Sequence, residues 1–142
     1  MGHVFADITL KNAGDITNVG RGYIKAPEVR ETAVRALVDT GAGTLVINDW
    51  MQAKLGLTVK GLRQVSLGNN AKELCKVTEP VEVHWKDRSM SCEALVIADQ
   101  RSVGDGNVLL GVIPLEAMDL VVDPVKQELL GAHGDEVITL VM

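Results

Sequence analysis

Hydrophobic and polar positions alternate along the first third of the chain, the pattern of half-buried β-strands. His3–Leu10 alternates in this way and predicts a first strand. Arg30–Val38 alternates charged with apolar residues and becomes fully apolar at its end, so a second strand is expected to enter the core there. The apolar run Leu45–Ile47 predicts the strand that follows. Between these last two strands the chain carries a single carboxylate, that of Asp39.

Capping residues predict short helices among the later strands. Asn48 is a good N-cap and Gly56 suits the position just past a helix, so Asp49–Leu55 is expected to be helical. A second short helix is expected at Val112–Met118, since proline is tolerated in a first turn.

Turn residues separate the remaining segments. Lys11–Asp15 is predicted to be a turn that leads into a surface loop over residues 16–29, and Asp99–Asn107 is predicted to be a polar loop. Further strands are predicted at Leu62–Leu67, Glu73–Val77, Val81–Trp85, Met90–Ala98, Leu120–Val122, Gln127–Leu130 and Val137–Met142.

Length and composition fit one sheet-rich domain spanning residues 1–142. The chain has 142 residues, of which 46% are hydrophobic, and this is enough for a real core. Only 3% are aromatic, so the core must come from aliphatic and β-branched side chains, which favour sheet. The predicted fold class is all-β with one or two short helices.

Charge and hydropathy exclude several classes of partner. The net charge of −5, the pI near 5.1 and the absence of a basic stripe disfavour nucleic-acid binding. No apolar run approaches the roughly 20 residues of a membrane span, and no basic segment leads into an apolar signal region. We therefore expect a cytoplasmic protein that does not bind membranes.

The cysteines and histidines predict neither a disulfide nor a metal site. Registering the predicted hairpins places Cys75 near Arg63 and Cys92 near Val83, so the two thiols are not expected to bond to each other. The histidines are far apart in sequence and match no metal-ligand spacing. They are His3, His84 and His133. No metal or other cofactor is expected.

Asp39 needs a physical explanation. Its apolar flanks predict an interior position, where a carboxylate is costly unless it is hydrogen-bonded, paired, bound to metal or used in chemistry. Gly41 is expected to adopt torsions closed to other residues and to bring an amide N–H to this carboxylate, and the Thr40 hydroxyl can join the network. The structural alternative is an Asx-turn, in which Asp39 caps its own backbone.

Two ordered motifs carry a family resemblance. Val38–Ala42, between apolar strands, resembles the active-site loop of the retropepsin-like (clan AA) aspartic peptidases, which include retroviral proteases. Val108–Gly111 resembles the family's second signature of apolar residues that close on a glycine before a short helix. The order of elements from Val34 to Asp123 is similar to that of the family, and the chain resembles a bacterial or archaeal single-domain member. The resemblance implies a closed or partly closed acid-protease barrel and aspartic endopeptidase activity.

The resemblance also implies a homodimer. Aspartic peptidases use two carboxylates that share a proton, and this chain has one Asp-Thr-Gly, so each chain would supply one Asp39 at a twofold axis. Thr40 would bond across the axis, Gly41 would contact the substrate backbone, and Ala42 would support the site. Apolar strands at the two termini, expected to be unpaired within the chain, would interdigitate in the dimer.

The substrate contacts implied by the resemblance lie on strand ends and on a flap. The hairpin Leu62–Val77, which turns at Gly68–Ala71, would cover a bound peptide, the alternative being an ordinary surface hairpin. The implied peptide-binding residues are Leu37, Val46, Leu67, Gly68, Asn69 and Leu109, and the second signature contributes Leu110 and Gly111.

Two positions depart from the retroviral pattern, and two other functions remain open. Retroviral members usually have an acidic residue where this chain has Gly43 and a basic residue where it has Val112. The loop Asp39–Thr44 is also similar to the phosphate loop of actin-like ATPases, although the chain lacks a second lobe and P-loop spacing. The other alternative is a retropepsin-fold dimer that binds peptides without efficient catalysis.

Overall fold

A computed structural model describes residues 3–66, 70–98 and 108–133 of the chain. Eleven strands, three α-helices and one 3-10 turn lie in these ranges. The strands are β1 Val4–Asn12, β2 Glu31–Val38, β3 Leu45–Asn48, β4 Val59–Ser66, β5 Lys72–Thr78, β6 Val81–Trp85, β7 Arg88–Cys92, β8 Ala94–Ile97, β9 Leu109–Leu110, β10 Leu120–Asp123 and β11 Glu128–Gly131. The helices are α1 Ala13–Gly20, α2 Asp49–Leu55 and α3 Val112–Ala117, and the 3-10 turn is Ala26–Glu28.

Nine strands form one sheet that curls into a half-barrel, in the order β4-β5-β8-β3-β9-β2-β1-β6-β7, and β10 pairs with β11. One face of the curled sheet is lined by fully buried aliphatic side chains, among them Leu10, Leu45, Ile47 and Leu110. Met51 and Leu55 of α2 are buried in the same core. The predicted all-β class with short helices is confirmed.

Helix α2 has the predicted bounds because both of its ends are set by local chemistry. The side chain of Asn48 accepts a hydrogen bond from the Met51 N–H at 2.9 Å, which satisfies a free first-turn donor. At the other end Gly56 adopts the left-handed region with φ 61°, where a side chain would be strained. The helix packs against β3 and β8, and its side chains Met51 and Leu55 lie in the core.

The predicted turn at Lys11–Asp15 is wrong, and so is the first part of the predicted loop over residues 16–29; residues 21–25 are irregular as expected. Strand β1 continues to Asn12, and the chain then forms α1, so the described residues hold three α-helices rather than the one or two expected. Asn12 caps the helix by accepting the Asp15 N–H at 3.0 Å and donates to the Leu55 carbonyl of α2 at 2.9 Å. The start of α1 is thereby tied to α2.

The return strand predicted at Met90–Ala98 is two strands. β7 pairs with β6, and after one residue β8 joins β3 and β5 at the other end of the sheet. Cys92 therefore lies opposite Val81 rather than Val83. The predicted pairing of Cys75 with Arg63 is confirmed, and neither Cys75 nor Cys92 is in a disulfide.

The N-terminal strand is paired within its own chain. β1 lies between β2, along Val4–Lys11, and β6, along Thr9–Asn12, so the expectation of an unpaired strand at this terminus is wrong. The predicted strand Val137–Met142 and the loop Asp99–Asn107 lie outside the described residues. Within the described ranges, no helix has the length and apolar character needed to cross a membrane.

Candidate functional site

The two motifs singled out in the sequence meet at the centre of the sheet. The two-residue strand β9 lies between β2 and β3, parallel to β2 and antiparallel to β3. Leu110 pairs with Val38 on one side and with Leu45 on the other. The Asp39 N–H, at the end of β2, donates to the Leu110 carbonyl at 3.0 Å. Asp39 is thus held where three strand ends converge.

The Asp39 side chain is half-buried rather than enclosed in the interior as the flanking sequence predicts. Its Oδ1 accepts the Gly41 N–H at 2.8 Å, and its carbonyl accepts the Ala42 N–H at 3.1 Å. Within the described part of the chain, Oδ2 accepts no hydrogen bond. The Gly41 contact is the one expected, and it is also the contact of an Asx-turn, so this bond alone does not separate the two interpretations.

Glycine at position 41 allows the backbone to approach the Asp39 carboxylate closely, and its own torsions are not unusual. Its φ does not lie in the positive region, so the prediction of torsions closed to other residues is wrong. A Cβ on Gly41 would lie 3.1 Å from Asp39 Oδ1, tighter than an ordinary van der Waals contact. Thr40 and Gly41 are exposed, and Ala42 is half-buried. The tip of the loop is therefore accessible from outside the chain.

Gly111 packs directly against the Asp39 loop. A Cβ at this position would lie 2.3 Å from the Thr44 carbonyl oxygen and 2.6 Å from that of Ala42, distances that backbone cannot accommodate without moving. This contact gives a physical reason for glycine at the end of the second signature.

The two positions that depart from the retroviral pattern, Gly43 and Val112, lie in adjacent segments whose backbones are hydrogen-bonded. The Val112 N–H donates to the Ala42 carbonyl at 2.9 Å, and the Ile113 N–H donates to the Gly43 carbonyl at 3.1 Å. These are first-turn donors of α3 that have no partner inside the helix. The segment that would carry an ion pair in retroviral members is held here by main-chain hydrogen bonds.

Three of the residues implied as substrate contacts are direct cross-strand neighbours. Leu37 pairs with Leu109, and Leu109 pairs with Val46. The row continues through Leu95 of β8 to Val77 of β5. Paired residues point to the same face of a sheet, and alternation along β2 places the Asp39 side chain on that face as well. The core-facing residues beside them, such as Ala36 and Leu45, lie on the opposite face and are fully buried, whereas in the row Leu37 and Leu109 are half-buried and Val46 and Val77 are buried.

The other three implied contacts, Leu67, Gly68 and Asn69, lie outside the described residues. The strands that lead to them form the expected antiparallel hairpin, β4 with β5. Asn70 at the edge of the turn has φ 66°, the left-handed conformation that asparagine tolerates.

A cavity of about 230 Å³ lies at the end of the apolar row, and the β4–β5 hairpin contributes to its lining. Its polar lining includes Thr44, Arg63 and Glu93, which the sequence analysis did not select. Nothing in their spacing indicates a site, because strand pairings between distant segments bring them together. Burial raises the pKa of the Cys92 thiol in the lining to about 11, so this thiol is protonated at neutral pH and a poor nucleophile.

No group of three or more His, Cys, Asp or Glu side chains in the described residues could hold a metal ion. The arrangement around Asp39 offers one carboxylate with a free oxygen, exposed loop residues and an apolar strip beside it. Such a constellation suits acid–base chemistry on a bound extended chain.

Comparisons with known proteins agree with this arrangement. Residues 27–113 match the sequence profile of the family described as aspartyl protease. The fold is similar to the retroviral protease-like domain of Ddi1 from Leishmania major, with 15% identity and a TM-score of 0.54 over 92% of this chain and 84% of that one.

A retropepsin-like aspartic protease from Rickettsia conorii is similar over 86% of this chain and 77% of that one, with 16% identity and a TM-score of 0.50. No curated protein matches the sequence. The phosphate-loop alternative receives no support from these matches. Because the family profile covers more than half of its length, the chain belongs to the aspartyl protease family, and its fold is retropepsin-like.

Proposed function

We propose that the protein is an aspartic endopeptidase whose site is completed by a second copy of the same chain. Each 142-residue chain would form one domain with one half-site, and the two Asp39 carboxylates would meet at the twofold axis. The supporting observations are the family match, the retropepsin-like fold and a single Asp-Thr-Gly in the chain.

One observation carries the proposal: Asp39 is oriented by main-chain contacts that leave Oδ2 without a partner in the described residues. Gly41 fixes Oδ1, and the Leu110 carbonyl fixes the Asp39 amide. A catalytic carboxylate must keep an oxygen available, and the half-buried position of Asp39 leaves Oδ2 accessible. The outward-facing Thr40 leaves room for a partner's loop.

The chemistry follows from two carboxylates a hydrogen bond apart. They cannot both ionise cheaply, so the pair holds one proton over a working pH range. The ionised carboxylate draws a proton from water as it attacks the scissile carbonyl, while the protonated one donates to the developing oxyanion or leaving group. No metal and no covalent intermediate is required. Gly41 would contact the substrate backbone, and Leu37, Val46 and Leu109 would contact apolar side chains of the substrate.

The flap is the second part of the proposal. The β4–β5 hairpin pairs with β8 at the end of the apolar row, and its tip residues Leu67, Gly68 and Asn69 would close over a bound peptide. An interface of the obligate class, about 2,000 Å² or more, would hold the two chains together. The alternative of a peptide-binding dimer without efficient catalysis predicts the same assembly without turnover.

Mixed dimers test the dyad. Wild-type chains and Asp39→Asn chains carrying different affinity tags are co-expressed, and the heterodimer is isolated by two successive purifications. The three species are incubated with a peptide library between mildly acidic and neutral pH. We expect cleavage only by the wild-type dimer, with the mixed dimer at least about a thousandfold slower, because each site needs both carboxylates.

Sedimentation of the same samples controls for assembly, since all three species must be dimers for the comparison to count. Cleavage by the mixed or fully substituted dimer at the parent rate would make Asp39 a structural turn residue and overturn the assignment. A wild-type monomer at tens of micromolar across this pH range would remove the shared site.

A further inference from the structure

The 230 Å³ cavity at the end of the apolar row has apolar walls and a charged mouth. Val77 and Leu95 belong to the row itself, and Ile113 of α3, which is 51% exposed, contributes to the opposite wall. Its volume is below that of typical small-molecule pockets and suits a single side chain. Thr44 provides a hydroxyl at the end nearest the Asp39 loop.

The cavity lies within reach of a peptide that spans the Asp39 loop. The cavity is lined by residues next to β3 and on β8, and these strands lie two and three strands away from β2 in the sheet. This corresponds to a distance of about 10–14 Å. An extended chain covers this distance in about three to four residues. A substrate whose scissile bond lies at Asp39 would therefore place a side chain from its third or fourth flanking residue at the cavity.

The charges at the mouth favour an anion. Lys60 and Glu93 form an ion pair with each other, so their charges largely cancel. The pKa of Glu93 is held below its ordinary value, first by the hydrogen bond from Lys60 and then by the positive charges of Lys60 and Arg63. Arg63 adds a further cation, and Cys92 is neutral at pH 7. The negative charge of Glu79 also raises the pKa of Lys60, but Glu79 lies outside the cavity, in a separate polar pocket beside Asn12.

Arg63 also has the correct orientation along the hairpin. It pairs with the buried Cys75, which alternation places on the same face as Val77, so the Arg63 side chain lies on the face of the sheet that carries the apolar row. The neighbouring positions Leu62 and Leu74 alternate to the outer face and are 61% and 64% exposed. A guanidinium in this position can offer forked donors to a carboxylate, while the aliphatic walls contact the methylene groups of the same side chain.

We propose that this cavity is a specificity subsite for an acidic side chain of the peptide substrate, with Arg63 as the residue that selects it. The inference rests on the proposed peptidase function and adds a substrate class to it. Apolar residues next to the scissile bond would contact the row beside Asp39, and a glutamate or aspartate three to four residues away would reach Arg63.

Matched peptides test the selection. A cleaved library peptide is resynthesised with Glu, Gln or Lys at each position from two to five residues on either side of the scissile bond. For wild-type protein we expect kcat/KM about fivefold to tenfold higher for Glu than for Gln at one position three or four residues away, and lower still for Lys. Arg63→Gln should remove the preference, and Arg63→Glu should reverse it toward Lys.

Lys72→Gln is the matched control, because it removes one positive charge from the outer face of the same hairpin. It should leave the preference for Glu unchanged. Equal rates for Glu and Gln at all positions with wild-type protein, or an unchanged preference in Arg63→Gln, would overturn the inference and leave the peptidase assignment intact.

Binding measured on the Asp39→Asn dimer separates the two proposals. Fluorescence anisotropy of labelled Glu and Gln peptides reports the subsite without turnover, and the peptide with Glu should bind about fivefold to tenfold more tightly in an Arg63-dependent way. If wild-type protein cleaves nothing but this preference is present, the peptidase proposal fails and the subsite for an acidic side chain stands. If no peptide binds, the subsite is overturned as well.

Discussion

Two aspartates near strand ends are held in opposite ways. Asp15 is buried, and its carboxylate accepts three hydrogen bonds from Arg30, from the backbone N–H, Nε and Nη2, at 2.8–3.0 Å. Asp39 is half-buried and is fixed mainly through its main chain, by Leu110 and by the packing of Gly111 on its loop. The Asp15 carboxylate is fully used in hydrogen bonds to Arg30. The Asp39 carboxylate is held through Oδ1, and its Oδ2 accepts no hydrogen bond within the described residues. The proposed function requires this difference, because a catalytic carboxylate must keep an oxygen that a reaction can use.

The largest effect is expected at Gly111, since the Asp39 loop depends on backbone contacts. Gly111→Ala would place a Cβ against the Thr44 and Ala42 carbonyls, and we expect the free energy of unfolding to fall by about 3 kcal/mol. Denaturant unfolding measures this. Gly43→Ala is the control, because a Cβ there meets nothing within 4 Å. Equal, small changes in both variants would show that the loop is not held by this packing.

A smaller effect is expected at Asp15, where the side chain itself makes the contacts. Asp15→Asn should lower the free energy of unfolding by about 1–2 kcal/mol, a value reduced because the Arg30 side chain is half-exposed. Asp7→Asn, at an exposed carboxylate of β1, should change it by less than about 0.5 kcal/mol. A loss at Asp15 no larger than at Asp7 would contradict the structural role.

This contribution should also depend on pH. The hydrogen bond from Arg30 holds the pKa of Asp15 below its ordinary value of 3.8, so the folded state favours the ionised form. The stabilisation is then complete above the unfolded-state pKa and is lost as the pH falls through the folded-state pKa. The difference between parent and Asp15→Asn should be constant above about pH 5 and shrink below about pH 4.

The smallest change in stability is expected at Asp39. Asp39→Asn retains an oxygen that can accept the Gly41 N–H, so the free energy of unfolding near neutral pH should change by less than about 0.5 kcal/mol, or rise if dimerisation brings two carboxylates together. Thermal unfolding at matched protein concentration measures it. A loss comparable to that of Asp15→Asn would mean that Asp39 is a structural residue.

Elements set by neighbouring residues could be predicted from the sequence. Helix α2 is bounded by Asn48 and Gly56, and both act within a few residues of their own positions. Helix α1 was missed although a local signal exists, since Asn12 followed three residues later by Asp15 is similar to a capping pattern. Its weak apolar periodicity and three nearby glycines obscured that signal.

Features set by distant segments could not be predicted. The division of the Met90–Ala98 segment into β7 and β8 depends on which strands accept each half, and alternation is the same in either case. The candidate site shows the same limit. The Asp39 loop and the second signature are recognisable as motifs, but Arg63, Glu93 and Thr44 meet only through the pairing of β3, β8, β4 and β5.

The insertion of β9 between β2 and β3 has a consequence for the order of events during synthesis. Asp39 leaves the ribosome long before Leu110 and Gly111, yet its amide and its loop are held by these two residues. A nascent chain that ends after β8 therefore contains Asp39 without the two residues that position it. Closing the long stretch of chain between Asp39 and Leu110 is a late and slow step in folding. On the proposed peptidase function, the chain could not cut its neighbours, or itself, before β9 has been synthesised and has paired with β2 and β3.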